Sequence, residues 1–134
     1  MSARRHQAEA FIRQYVCAFA ALADPPECES RSSWPHPTIL HAHGRFFTPR
    51  PLPARIPPMP AGGCRGNVAA LVAASADLQH VEGVTYGFYP VWNAWAIEAD
   101  GSVVDPTWPS TWVGLGAAYF GVVRSSRPGR NDAE

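Results

Sequence analysis

The stretch from Gly62 to Trp108, GGCRGNVAALVAASADLQHVEGVTYGFYPVWNAWAIEADGSVVDPTW, decides the fold. Gly62-Gly63-Cys64 opens a helix that runs through an alanine-rich segment to about Leu78, with Leu71, Val72 and Leu78 as its buried face. The β-formers Val81, Thr85, Tyr86, Phe88 and Tyr89 predict a strand from His80 to Tyr89, broken by Pro90. Val91 to Glu98 makes a second strand, Ala99-Asp100-Gly101 a hairpin turn, and Ser102 to Asp105 a third strand ending at Pro106.

Turn length sets which face Asp105 occupies. A two-residue Asp100-Gly101 loop pairs Ala96 with Asp105 and leaves Asn93 on the opposite face. A three-residue loop, with Gly101 left-handed as a bulge, pairs Trp95 with Asp105 and makes Asn93 its same-face diagonal neighbour. Only the second register builds a shared site.

Upstream, from about Ala3 to Ala23, Phe11, Ile12, Tyr15, Val16, Phe19 and Leu22 recur at helical spacing opposite Arg4, Arg5, Glu9, Arg13 and Gln14. This predicts an amphipathic helix ending at Asp24-Pro25-Pro26, with Cys17 near its apolar stripe as a core residue. Residues 24 to 62 hold ten of the fourteen prolines. Proline lacks an N–H and fixes φ, so an extended wrap with one short strand is expected there. Downstream, Thr111 to Val123 should form a short helix or turn and then a last strand near Tyr119 to Val123. Arg124 to Glu134 lacks anchoring apolar residues and reads as a disordered tail. The expectation is one α+β domain over residues 1–123, in which a small antiparallel sheet packs against the Cys64 helix and the N-terminal helix.

Composition bounds the partners. At 134 residues and 46% hydrophobic, the chain suffices for one core. Eleven basic residues, all arginine, balance eleven acids, so nothing favours nucleic acid or an acidic membrane. Cys17, Cys28 and Cys64 are odd in number and show no C-x-x-C spacing, which argues for a reducing, cytoplasmic setting without a disulfide framework. Arg4-Arg5 before a short apolar run loosely imitates a signal peptide, but Glu9, Arg13 and Gln14 interrupt it. His41-x-His43 matches no zinc spacing, so no metal is assigned, and no cofactor is implied.

The chemistry centres on Cys64. At a helix N-terminus the unpaired N–H groups and the macrodipole favour a thiolate, and two preceding glycines leave room for a substrate backbone. Read conservatively, Gly-Gly is a turn, Cys64 a small packing residue, and Asp105-Pro106 an ordinary turn start whose carboxylate bonds nearby backbone N–H groups. Trp92, Trp95, Trp108 and Trp112 are core or cleft-wall residues, with enough aromatic surface for a groove that holds a peptide or sugar.

The order Cys64-x-x-Asn67, Val81-Glu82-Gly83, Pro90-Val91-x-x-Ala94-Trp95, Asp100-Gly101-x-Val103-Val104-Asp105-Pro106-Thr107-Trp108 and Tyr119-Phe120-Gly121-Val122 resembles a group of small bacterial and phage proteins. Those are similar to the papain-like and transglutaminase-like cysteine hydrolases. The likeness covers roughly residues 62 to 122 and implies a Cys64 nucleophile, a histidine base before Ala94-Trp95, and Asp105 orienting that base. Here Asn93 stands in the histidine's place, and a carboxamide does not exchange protons near neutral pH. Three readings follow. The chain is a degenerate, non-catalytic member that binds a ligand or protein partner or serves as a structural part. Alternatively it is an active thiol acyl hydrolase or transferase in which another imidazole, His80 nearest in sequence or else His36, His41 or His43, replaces the base. In the third, Cys64 attacks an activated ester or disulfide with little help. The partner expected is a peptide or other acyl substrate or ligand in the Cys64 cleft, with a protein partner also open.

Overall fold

A computed structural model describes residues 3–23 and 34–124. The architecture is α+β. Helices α1 (Ala3–Leu22), α2 (Pro37–His43), α3 (Cys64–Ala74) and α4 (Thr111–Gly114) accompany strands β1 (Arg45–Phe47), β2 (Gln79–Tyr86), β3 (Pro90–Ile97), β4 (Val103–Val104) and β5 (Ala118–Arg124). The strands form one antiparallel sheet in the order β1-β5-β2-β3-β4. Its two edges meet through a parallel bridge between Thr48 and Ser102, where the Thr48 N–H donates to the Gly101 carbonyl and the Val103 N–H donates to the Thr48 carbonyl. The sheet therefore curls on itself and has an inside and an outside.

Alternation along the strands sorts side chains between those faces. Inside lie Phe47, Val81, Trp95, Ile97, Val103 and Tyr119, which form one apolar cluster. This interior is tight because two glycines face each other across β2 and β5. Gly83 pairs with Gly121, and a Cβ on Gly83 would sit 2.1 Å from the Phe120 carbonyl oxygen. Outside, α1 buries Ala8, Ile12 and Val16 against Val84, Ala118 and Phe120, with Leu40 of α2 in the same cluster. Further along that outer face, Val68 of α3 packs with Leu78, Ala94, Ala96 and Val104. Small residues on β3 let the helix approach closely.

The hairpin takes the three-residue form. Ala96 pairs with Val104 and Ile97 with Val103, and Gly101 has a φ of +86°. The Gly101 N–H donates to the Glu98 carbonyl at 2.9 Å, and the Glu98 N–H donates to the Ser102 carbonyl at 3.0 Å. Continued by one residue, this register sets Trp95 opposite Asp105.

Several expectations are corrected. Cys17 is exposed rather than in the core, because α1 turns Ile12 and Val16 inward and Cys17 lies off that stripe. Residues 37–43 of the proline-dense region are helical rather than extended. Pro37 sits at the first turn, where its missing N–H costs nothing, and the His36 ring nitrogen accepts from the Thr38 N–H at 3.2 Å as the cap. Helix α3 stops at Ala74, since the Ser75 N–H turns back to Val72, yet Leu78 still reaches the same core. Strand β5 extends to Arg124. The predicted tail and Cys28 lie outside the described residues.

Candidate functional site

Strand β4 covers only the Ala96–Ile97 end of β3, and the N-terminus of α3 packs where β3 runs on alone. There Cys64, half-buried, receives the Ala94 backbone N–H, while Asp105 lies close enough for its charge to act on the sulfur. The loop after β4 is tied to this corner by Asn67, whose Nδ2 donates to the Pro60 carbonyl and to Thr107 Oγ1, both at 2.9 Å. The Met59 N–H donates to the Pro106 carbonyl at 2.8 Å. The motif asparagine three residues after Cys64 thus fixes the helix to the Asp105 loop.

Asn93 and Asp105 meet on the inner face. Asn93 Nδ2 donates to Asp105 Oδ2 and to Thr85 Oγ1, each at 3.1 Å. Tyr119 Oη donates to the same Asp105 oxygen at 2.8 Å, and the Thr107 and Trp108 N–H groups donate to Oδ1 at 3.0 and 3.1 Å. All four donor groups on this carboxylate are neutral. Burial pushes Asp105 above the usual carboxylate value despite them, and burial beside Asp105 pushes Tyr119 well up. Asn93 Oδ1 and Trp95 Nε1 are buried without a protein partner among the described residues.

The thiol does not match the activated form expected of a helix N-terminus. Burial raises Cys64, outweighing the Ala94 N–H, and the negative charge of Asp105 adds to the rise.

Beside Cys64 opens a cleft of about 410 Å³ lined by Trp34, Trp92, Trp108, Trp112, Tyr89 and Asn93, among others, with no histidine in its lining. His80 lies instead on the outer face, buried, with Nε2 2.9 Å from Glu82 Oε2. His36 caps α2, and His41 and His43 are exposed on that helix. Among the described residues, no three His, Cys, Asp or Glu side chains gather as a metal cluster. Of the three tryptophans expected to bind, Trp92 and Trp108 line the cleft. Trp95 does not, since it is fully buried and packs edge-on against Tyr119 across the Gly121 surface.

Sequence reasoning missed Trp34, Thr85 and Tyr119. It also missed a second buried acid on the outer face. Arg65 Nε donates to Glu82 Oε2 at 2.9 Å and its Nη2 to Oε1 at 3.4 Å, with Arg124 Nε 3.8 Å from Oε1. Burial alone would raise Glu82, but the hydrogen bonds from His80 and Arg65 and the charges of His80 and Arg124 hold it below the usual carboxylate value. The Arg65 guanidinium also lies 4.8 Å from the Trp34 ring centre, so this cluster touches the cleft wall. A lone acid amid the β-formers of His80-Val81-Glu82-Gly83-Val84 was the available signal.

No family model, characterised protein or solved structure matches the chain. Among the described residues, no helix is long and apolar enough to cross a membrane.

Proposed function

We propose that this chain is a catalytically silent relative of the papain-like and transglutaminase-like cysteine hydrolases, acting by binding a peptide segment in the Cys64 cleft. The observation that carries the reading is the Asn93–Asp105 hydrogen bond. On the family resemblance an imidazole would stand at residue 93; here an amide stands there, bonded to Asp105, and it lines the same cleft as Cys64. Asn93 keeps the orienting contact and lacks the proton-transfer chemistry. Support also comes from the thiol, whose pKa burial and the Asp105 charge push up, and from His80, whose Nε2 is engaged by Glu82 outside the cleft lining. A half-buried thiol with a raised pKa beside indole walls suits holding a ligand better than attacking one.

The test is the pH dependence of Cys64 alkylation by iodoacetamide in full-length protein carrying Cys17→Ser and Cys28→Ser. The reading predicts a single rise in rate centred above the ordinary thiol value of about 8.5. An inflection between pH 5 and 8, together with Cys64-dependent release of product from an activated acyl ester, would show a working nucleophile and overturn it.

A further inference from the structure

Three groups that carry or can take positive charge converge on the buried Glu82 carboxylate. His80 Nε2 and Arg65 Nε each lie 2.9 Å from the same oxygen, Oε2, while Arg65 Nη2 and Arg124 Nε lie 3.4 and 3.8 Å from Oε1. An ionised carboxylate only accepts, so the imidazole proton is on Nε2 and Nδ1 is bare. Nδ1 is buried and has no hydrogen-bond partner among the described residues. Around His80, β5 brings Arg124 and β3 the uncharged Ala96 as cross-strand partners, and α3 brings Arg65. Asp77, before β2, is exposed, and Glu98, after β3, pairs with Arg55 at 3.4 Å. Arg65 is also a brace for the cleft. Its guanidinium lies 4.8 Å from the Trp34 ring centre, and Trp34 packs at 5.7 Å on Trp92, both rings lining the Cys64 cleft.

Resting on the reading of the cleft as the binding site, we infer that His80 is a proton-operated latch on its Trp34 wall: the protonated ring takes the shared Glu82 oxygen, displaces Arg65 and leaves Trp34 unbraced. Glu82 is held below the usual carboxylate value, and imidazole is the side chain of this cluster whose charge changes between pH 5 and 8. The added proton sets three cations against one carboxylate, and like charges this close repel. The new Nδ1–H has no acceptor among the described residues where the ring now sits, so the cluster rearranges instead of taking the proton in place. A cationic donor bonds a carboxylate more strongly than a neutral one, which favours His80 in the contest for Oε2. Arg65 is the group with room to leave. Its side chain is 30% exposed against 19% for Arg124 and 8% for His80, and it stands in the first turn of α3. Freed from Glu82, the guanidinium is hydrated and no longer fixed over the indole. The wall is therefore held above the transition and loosened below it.

The experiment follows the isotope-labelled full chain by NMR from pH 8 to pH 5, reading the His80 ring nitrogens, the Arg65 Nε–H and the Trp34 indole N–H, the last two assigned with Arg65→Lys and Trp34→Phe. All three signals should move on one midpoint, and the Arg65 Nε–H should pass from a hydrogen-bonded position to that of solvent-exposed arginines. His80→Gln, whose carboxamide still donates to Glu82 but does not titrate, should hold the Arg65 and Trp34 signals still over the same range. Where that variant does not fold, the three midpoints of the parent decide alone. His36, two residues after Trp34, is the competing source of a pH response, so a Trp34 movement that tracks the His36 ring or survives in His80→Gln overturns the inference. A His80 ring that does not titrate in this range, or an Arg65 Nε–H that keeps its bonded position at pH 5, overturns it as well. None of these readings depends on Cys64 reactivity. A reactive Cys64 rejects the silent-relative reading and leaves the latch standing, whereas separate midpoints reject the latch alone.

Discussion

Two acids are buried on opposite faces of the same sheet, and they are treated in opposite ways. Glu82, on the outer face, meets two guanidinium groups and an imidazole and is held below the usual carboxylate value. Asp105, inside, meets an amide, a phenol and two backbone N–H groups and is pushed above it. Asp105 has no fewer hydrogen-bond donors than Glu82. What differs is charge, and neutral donors offset burial less fully than cations do. The outer cluster therefore belongs to stability, joining α3, β2 and β5. The inner network joins β2, β3, β5 and the loop after β4 through neutral donors alone.

The largest expected effect separates the two acids by mutation. Glu82→Gln leaves Arg65 and Arg124 facing a buried neutral group and should cost about 3–5 kcal/mol at pH 7. Asp105→Asn keeps the acceptor for the backbone N–H groups but sets one amide nitrogen against a donor, a loss of about 1–3 kcal/mol. Urea unfolding of both variants checks the order, and a larger loss at Asp105 would break the contrast.

Acid titration sharpens it. Folding favours ionised Glu82, so its contribution is complete above the unfolded value of about 4.3 and disappears as pH falls through the lower folded value. Folding favours protonated Asp105, so its contribution is complete below about 3.9 and disappears as pH rises through the higher folded value. Glu82→Gln should flatten the acid-side loss of stability seen in the parent, and Asp105→Asn should remove a decline on the rising side of that window. Denaturation midpoints measured from pH 3 to pH 7 would reveal any common slope, which would contradict the opposite signs.

The smallest effect is at Tyr119. Tyr119→Phe removes one neutral donor from Asp105 and should cost about 1 kcal/mol while raising the Asp105 carboxyl further. Carboxyl NMR titration reads that direction, and a downward movement would show that the phenol is not a donor to it.

What was legible in the sequence was local. Ala99-Asp100-Gly101 marks the hairpin turn in the sequence but leaves its two- and three-residue forms open, and the observed three-residue form brings Asn93 and Asp105 to one face. The helix opening at Cys64 was readable from its alanine content, and β5 from its β-formers to within one residue at each end. Helix α2 was hidden because prolines were weighed as breakers, although Pro37 after His36 is the arrangement that starts a helix. The partners of Glu82 were out of reach, since Arg65 and Arg124 lie 17 residues before it and 42 after it and converge only when α3 and β5 pack on β2. The burial that raises Cys64 was out of reach for the same reason. The helix N-terminus is visible in a sequence, but burial against β3 is not.

The most direct measurement of the central claim is the alkylation midpoint of Cys64 in Asn93→His, compared with the parent, both carrying Cys17→Ser and Cys28→Ser. If residue 93 stands between Asp105 and the thiol as a silenced base position, the imidazole should be held by Asp105 and bring the midpoint below about 7.5, within the range of histidine-paired thiols. Adding Asp105→Ala should then return the midpoint toward the parent value. A midpoint that stays with the parent in a folded Asn93→His protein would contradict the account, leaving the Asn93–Asp105 contact as part of a hairpin and nothing more.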